Sequence, residues 1–327
     1  MLTLHFQILF TMKKQSSTAL LIINYGTPEK PEKKYVKKFL KELLNSKHVM
    51  TMNALGRSLL VNCIIVPFRI KHSLKMYKNL YAKHGMLLKD ISEGFVQKVQ
   101  NVLQEKADVY LAMTAGFNLV KDVLKEISEK NYRRLIIAPM YPQYTESTWG
   151  NALDSVYGFF KGRFNIPVIN TLEAFYDKQP YLESMKKLFE KELQGVEFEK
   201  IVFSYHGIPL SHPNCEDYVF QCKETSRLIC EKTGIALEKA VTSFQSRMSE
   251  GWTAPFTDNV IIDFAKEGVK KIAVAAPSFT VDCLETSQEL GETLKEKFLN
   301  TGGTDYKLIS CLNDGDFWVE NFCSLVF

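Results

Sequence analysis

The 327-residue chain has no Cys-x-x-Cys pair, no Gly-x-Gly-x-x-Gly turn, no Walker-type glycine–lysine loop and no apolar run long enough to cross a bilayer. The first absence removes the usual local signature of zinc and thiol-redox sites. The second and third argue against a dinucleotide or nucleotide phosphate cradle. The fourth leaves Leu59 to Phe68 (LLVNCIIVPF) too short to span a membrane. Charge of one sign is also missing: 41 Lys and Arg stand against 37 Asp and Glu, too small an excess to argue for nucleic-acid binding. The six lysines from Lys30 to Lys41 alternate with Tyr35, Val36, Phe39 and Leu40, the pattern of a helix's solvated face.

Cysteine is sparse and irregular. The seven are Cys63, Cys215, Cys222, Cys230, Cys283, Cys311 and Cys323, an odd count at spacings that make no disulfide framework. Cys215, Cys222 and Cys230 lack the tight local spacing of iron–sulfur ligands, so no cluster is expected and buried thiols in a reducing cytoplasm are the plain reading. The N-terminal apolar run from Leu2 to Phe10 has no basic lead-in and no small-residue cleavage site, and Met12 before Lys13-Lys14 offers a second start position.

What is present is an internal repeat. In the first half an apolar run, Leu20 to Asn24, leads into Tyr25-Gly26-Thr27-Pro28. In the second, Ile201 to Tyr205 leads into His206-Gly207-Ile208-Pro209. Both read as a buried strand ending in a sharp turn that glycine permits and proline helps to close. Further on, RLIIAP ends at Pro139 and KIAVAAP at Pro277, each followed by a polar loop with an aromatic. The interval from position 25 to 139 exceeds that from 206 to 277 by 43 residues, which places an insertion at about 46–88. Helical stripes run over Glu32 to Leu44 and Pro180 to Leu193, the latter with Gly195 as a C-cap. Alternating strands and helices predict an α/β fold: two similar, Rossmann-like, doubly wound domains with parallel sheets, at 17–165 and 166–327, with an active-site cleft between them and a C-terminal helix packing back on the first domain.

At the second-half strand ends stand His206, then Asp282, Glu285 and Glu289. Glu285 and Glu289 are four apart and stack on one helical face; Asp282 can join the row. Such a row repels itself unless a cation or protons balance it; a solvated acidic helix start is the other reading, and spacing does not choose. His206 alone is equally a structural histidine. Arg247 and Trp252 add a cation and an aromatic wall, and Tyr141, Gln143 and Tyr144 add more from the first half, although Trp252 is also a plausible core residue. Aromatic surface, a histidine and carboxylates suit a large flat ligand that exchanges protons or a metal.

The motifs LLIINYGTP (20–28), APMYPQY (138–144), FSYHGIP (203–209), TSFQSR (242–247) with Trp252, Pro255 and Asp258, PSFTVDCLET (277–286) and LNDGDFW (312–318) resemble those of the ferrochelatase family, bacterial type, in order and with nearly the expected spacing from Ala19 to the C-terminus. The resemblance implies a lyase that inserts ferrous iron into a porphyrin, protoporphyrin IX or coproporphyrin III, in haem synthesis. It implies His206 and Glu285 as the catalytic pair and, with Tyr25, as metal ligands. Asp282 and Glu289 become a proton path or metal entry, and Tyr25, Tyr141, Gln143, Tyr144, Arg247 and Trp252 become porphyrin contacts. It makes the 46–88 insertion an apolar lip, with Leu59 to Phe68 either interfacial at a membrane or buried beneath the lip. Iron would be a substrate, with no retained cofactor. Partners would be porphyrin, ferrous iron, a peripheral membrane contact on the cytoplasmic inner face and, transiently, the preceding oxidase of the pathway.

Three segments depart from the family pattern: Met86-Leu87 stands where Ser-Pro is usual after Gly85, 113–118 loses a tyrosine and a proline, and 210–217 lacks Gly-Asp-Pro. The sequence is therefore that of a divergent member, and two other readings stay open: a porphyrin- or haem-binding paralogue that does not metalate, and a cobalt or nickel chelatase of the same fold. Against the latter, the loop holding Cys283 carries no second histidine. Against an unrelated two-lobed binding protein stand the dispersed motifs.

Overall fold

A computed structural model describes residues 16–247 and 249–327; the Leu2 to Phe10 run and Met12 lie outside them. Two four-stranded parallel sheets form the frame. The first has the order β2-β1-β3-β4, with β1 at Thr18–Thr27, β2 at Asp108–Gly116, β3 at Arg134–Pro139 and β4 at Val168–Thr171. The second repeats it as β6-β5-β7-β8, with β5 at Lys200–His206, β6 at Ala240–Gln245, β7 at Lys271–Ala275 and β8 at Asp305–Leu308. β4 lies past the expected division at 165, yet it pairs Arg134 with Val168 through Ile137 with Thr171. Strand pairing therefore moves the boundary beyond Thr171; the weak signal was β4's half-exposed, four-residue length.

The unbroken apolar character of β1 follows from its position. Both faces of a central parallel strand are covered, and side chains alternate between them. Leu20 and Ile22 join a core that also takes in Phe203, Tyr205 and Phe244 from the second sheet. Ala19, Leu21 and Ile23 face the opposite layer, with Val123, Leu124 and Ile127. The second sheet has its own outer layer around Val202, Val274 and Phe298. The shared layer makes one core of the two halves.

Lys33–Leu44 is a helix that buries Val36, Phe39, Leu40 and Leu44, and Gln179–Glu192 is a helix opened by a proline in its first turn. The C-terminal helix, Asp316–Val326, packs Trp318 and Phe322 on Phe95 of the first half, with ring centroids 6.2 and 5.1 Å away. Within the insertion, Ala54–Leu59, the π-helical Leu60–Ile65 and Val66–His84 form a continuous helical stretch. Pro67 has no N–H to give the turn before it, which accounts for the loosened π segment there. This stretch divides the Leu59 to Phe68 run: Val61 and Val66 are buried against Phe39 and Tyr77, while Leu59, Ile64 and Phe68 are exposed.

Two glycines set how closely β1 and β2 end. Gly26 has φ of +124°, and a Cβ there would strike the carbonyl oxygen of Ala115; Gly116, at φ +93°, stands in the same relation to Thr27. Gly26→Ala is expected to cost about 3 kcal/mol in urea unfolding, through strain and forced separation of the strands. A cost under about 0.5 kcal/mol would mean that the strand ends shift apart freely.

Candidate active site

In each sheet the chain leaves the first strand toward one edge and the third strand toward the other. A crevice therefore opens at the carboxyl ends of β1 and β3, and another at those of β5 and β7. The four segments that follow these strands line one cavity enclosing about 1060 Å³ of space, its open mouth included.

From β1 come Asn24, Tyr25 and Gly26. The Asn24 side chain accepts from the Tyr25 amide at 2.8 Å, and Thr114 donates to the Tyr25 carbonyl at 2.6 Å. The altered segment 113–118 thus holds the backbone of Tyr25. The Tyr25 ring meets Tyr141 edge-on, centroids 6.5 Å apart. Burial, and then the Glu285 carboxylate, push the Tyr25 phenol well above its usual pKa.

From β5 comes His206. Its Nδ1 lies 2.7 Å from the Gly207 carbonyl. A carbonyl only accepts, so Nδ1 carries a proton, and the neutral form of the ring has its lone pair on Nε2. The following turn is tight: a side chain at Gly207 would press on the Gln245 carbonyl at 2.9 Å. Pro209 bridges to Trp252, which joins the lining.

From β3 come Met140, Tyr141, Gln143 and Thr145, and from β7 the stretch that includes Ser278, Cys283 and Glu285. Thr280 donates to the Met140 carbonyl at 3.0 Å and so ties the two loops across the halves. Buried polar atoms for which the described residues supply no hydrogen-bond partner include Tyr141 Oη, Gln143 Oε1 and Ser278 Oγ. All three belong to lining residues, so bound ligand or solvent is the available partner.

Glu285–Leu294 is a π-helix, an uncommon form that recurs at functional sites. It keeps Glu285 and Glu289 in electrostatic contact. Burial first, and Glu285 second, push Glu289 up to about 7, against the opposing effects of the Ser246 hydrogen bond and Arg69. Ser246 donates to Glu289 at 2.8 Å.

The expected row of three carboxylates does not form. Asp282 lies before the helix, and its carboxylate accepts from Thr286 at 2.9 Å, Asn313 Nδ2 at 2.7 Å and the Cys311 amide at 3.3 Å. It holds the loop and does not line the cavity. Arg247 stacks over Phe256, 3.9 Å from the ring centroid, and pairs with Glu250 and Asp258. Tyr144 gives its hydroxyl to Glu146 at 3.3 Å. Neither Arg247 nor Tyr144 lines the cavity, whereas His206, Glu285, Tyr25, Tyr141, Gln143 and Trp252 all do. Sequence reasoning missed Tyr77, whose buried phenol is raised by burial and then by Glu285. Its signal was the buried stripe Ile70, Ser73, Tyr77 and Leu80 on one helix. It also missed His212 and Ser278, single residues in loops that carry no periodicity.

The donors available to a divalent metal are the His206 imidazole, the Glu285 carboxylate and the Tyr25 phenol, a mixed nitrogen and oxygen set. Among the described residues no three His, Cys, Asp or Glu side chains converge into a ready-made metal centre.

The family profile described as Ferrochelatase matches residues 17–327. A protein named Ferrochelatase from Coxiella burnetii (strain Dugway 5J108-111) is 32% identical over 335 residues, covering 95% of this chain and 94% of its own length. One of the same name from Idiomarina loihiensis is 34% identical over 324 residues, covering 97% and 89%, and one from Legionella pneumophila (strain Corby) is 31% identical over 327, covering 94% and 98%. Among solved structures, SirB from Bacillus subtilis with Fe3+ superposes with a TM-score of 0.58 at 9% identity, covering 94% of each chain. That last likeness speaks for the fold alone.

Folding raises Glu289 from an ordinary 4.5 to about 7. Between those values the folded chain keeps a proton that the unfolded chain has lost, so this group's contribution to stability falls as pH rises through that window. In the metal-free protein, Glu289→Gln is expected to raise the melting temperature at about pH 8 and to change it little at about pH 4.5. Equal shifts at both pH values would contradict the raised carboxyl.

Proposed function

The chain belongs to the ferrochelatase family, enzymes that insert ferrous iron into a porphyrin in haem synthesis, and we propose that His206 and Glu285, with Tyr25, carry that reaction here. The observation that carries the proposal is the pinned His206 ring. With Nδ1 committed to Gly207, Nε2 offers a lone pair in the cavity that Glu285 and Tyr25 also line.

Insertion requires two pyrrole N–H protons to leave as the metal enters, so the product is the metalloporphyrin and two protons. His206 Nε2 accepts one such proton or ligates the incoming ion; a neutral imidazole does either. Glu285 supplies the anionic oxygen that favours a divalent ion over its water shell. Glu289, with a carboxyl near neutral pH, passes protons on from Glu285, since transfer is efficient when donor and acceptor pKa lie near the working pH. Tyr141, Gln143 and Trp252 flank the macrocycle. Asp282 supports this path indirectly, by holding the start of the acidic helix. Arg247 and Tyr144, which do not line the cavity, are given no contact with the porphyrin.

The proposal includes no retained cofactor; iron is the substrate. Cys215, Cys222 and Cys230 lie along one helix, Cys215–Thr233, at intervals of seven and eight residues. Successive thiols are thus roughly 10 Å or more apart along its axis, too far for one cluster. Burial raises the thiol pKa of all three.

On the insertion, Leu55, Leu59, Ile64 and Phe68 are exposed apolar side chains. They support its use as a peripheral membrane contact on the cytoplasmic inner face, where the preceding oxidase hands over an apolar substrate. No helix among the described residues is long and apolar enough to cross a membrane.

Anaerobic turnover of ferrous iron with protoporphyrin IX and, separately, coproporphyrin III tests the assignment. His206→Ala and Glu285→Gln are each expected to lower kcat/KM at least about 100-fold, the range for losing a general acid or base. A wild-type protein that binds porphyrin without metalating it would instead make this a binding paralogue.

A further inference from the structure

The cavity has a second histidine whose position nothing in the reaction above requires. His212 lies in 210–217, the segment that departs from the family pattern, and it is buried and lines the cavity. Its loop is fixed by backbone bonds: the His212 amide donates to the Pro209 carbonyl at 2.9 Å, and Leu210 to Gly251 at 2.9 Å. The ring is also oriented. Nε2 lies 3.2 Å from the His48 carbonyl and, facing an acceptor, donates to it. Nδ1 has only the Pro213 carbonyl, at 3.4 Å, the outer limit of hydrogen bonding.

The neighbours of His212 define one end of the cavity. Val49 follows His48 in the chain. Ser147 follows Glu146, whose carboxylate is 2.6 Å from His48 Nδ1. Val49, Ser147 and Thr148 all line the cavity with His212.

Neither lysine nor arginine is among the lining residues, and Glu285 is their one carboxylate. Every porphyrin of haem synthesis carries propionate groups at its rim. A propionate drawn into the cavity loses water and needs a donor or a positive charge in exchange. Apart from His206, His212 is the one imidazole among the lining residues, and an imidazole nitrogen can share a proton with a carboxylate.

We propose that His212 is a specificity residue that receives a propionate carboxylate of the porphyrin at the Val49–Ser147 end of the cavity. The proposal rests on the ferrochelatase reading and deepens it. The Nε2–H bond to the His48 carbonyl keeps the ring in place, and Nδ1, then a lone pair, takes a proton from solvent as the carboxylate arrives and holds it between the two. That step is a proton shared between imidazole and carboxylate, with no other bond made or broken.

The test is metal-free binding, followed by quenching of protein fluorescence, of protoporphyrin IX and its dimethyl ester to wild type and His212→Gln. Glutamine keeps a donor for the His48 carbonyl but carries no charge. Wild type is expected to prefer the free acid by at least about tenfold, the worth of a hydrogen bond to a charged group, and the variant to lose that preference while binding the ester within about twofold of wild type. A variant that loses acid and ester equally would show His212 to be a loop support, and one that keeps the preference would show that it does not meet the propionate. Either result overturns the proposal. If wild type binds neither porphyrin, the ferrochelatase reading itself fails and takes this one with it.

Discussion

A parallel strand cannot turn directly back on its neighbour; its chain must cross over a face of the sheet before pairing again. That constraint organises the molecule. Because β2 and β3 flank β1 on opposite sides, and β6 and β7 flank β5 likewise, the loops after β1 and β3 diverge, as do those after β5 and β7. Each sheet is left with one open crevice at its carboxyl edge. The shared core layer, with residues of both sheets and the C-terminal Trp318 and Phe322, joins the two crevices into one cavity. Tyr25 and His206 stand at the carboxyl ends of β1 and β5, and Tyr141 and Glu285 in the segments after β3 and β7. Their convergence is a property of the topology before it is one of the side chains.

Within the cavity, electrostatics are governed by scarcity of charge. Glu285 is the lining carboxylate, and its influence reaches Tyr25, Tyr77 and Glu289, all raised by burial first and by Glu285 second. An uncompensated carboxylate among buried phenols disfavours further negative charge and favours an arriving cation. The same field keeps protons on the Tyr25 and Tyr77 phenols and raises the Glu289 carboxyl, which is the setting the proposed metal insertion would use. The Arg69 side chain, from the lip, opposes the rise at Glu289, so the lip also bears on the acidic helix.

The buried strands and the segments that end them were legible in the sequence because they obey simple rules. Leu20 to Asn24 falls within β1 and Ile201 to Tyr205 within β5, and a glycine turn after an apolar run marks a strand end wherever it occurs. Helix Glu32 to Leu44 was legible from its stripe, and the observed span is Lys33–Leu44. Less legible was anything set by a partner distant in the chain. Asp282 belongs to the acidic row by spacing, and Asn313 and Cys311, far along the chain, join Thr286 in drawing it away. Arg247 is a nearby cation by position, but Phe256 and Asp258 claim it. The π-helical turns have no periodic signature at all. β4 was assigned past the boundary because an exposed edge strand of four residues carries little apolar pattern.

The most direct measurement is a crystal structure of the protein with a metal-free porphyrin bound. The expected result is a macrocycle within the cavity between the two sheets, its nitrogens over the His206 imidazole and within reach of Glu285 and Tyr25, with Trp252 and Tyr141 against its faces or rim. A porphyrin seated on the exposed apolar side of the insertion, or at the edge of β4 near Arg134 and Lys178, with His206 and Glu285 untouched, would contradict it.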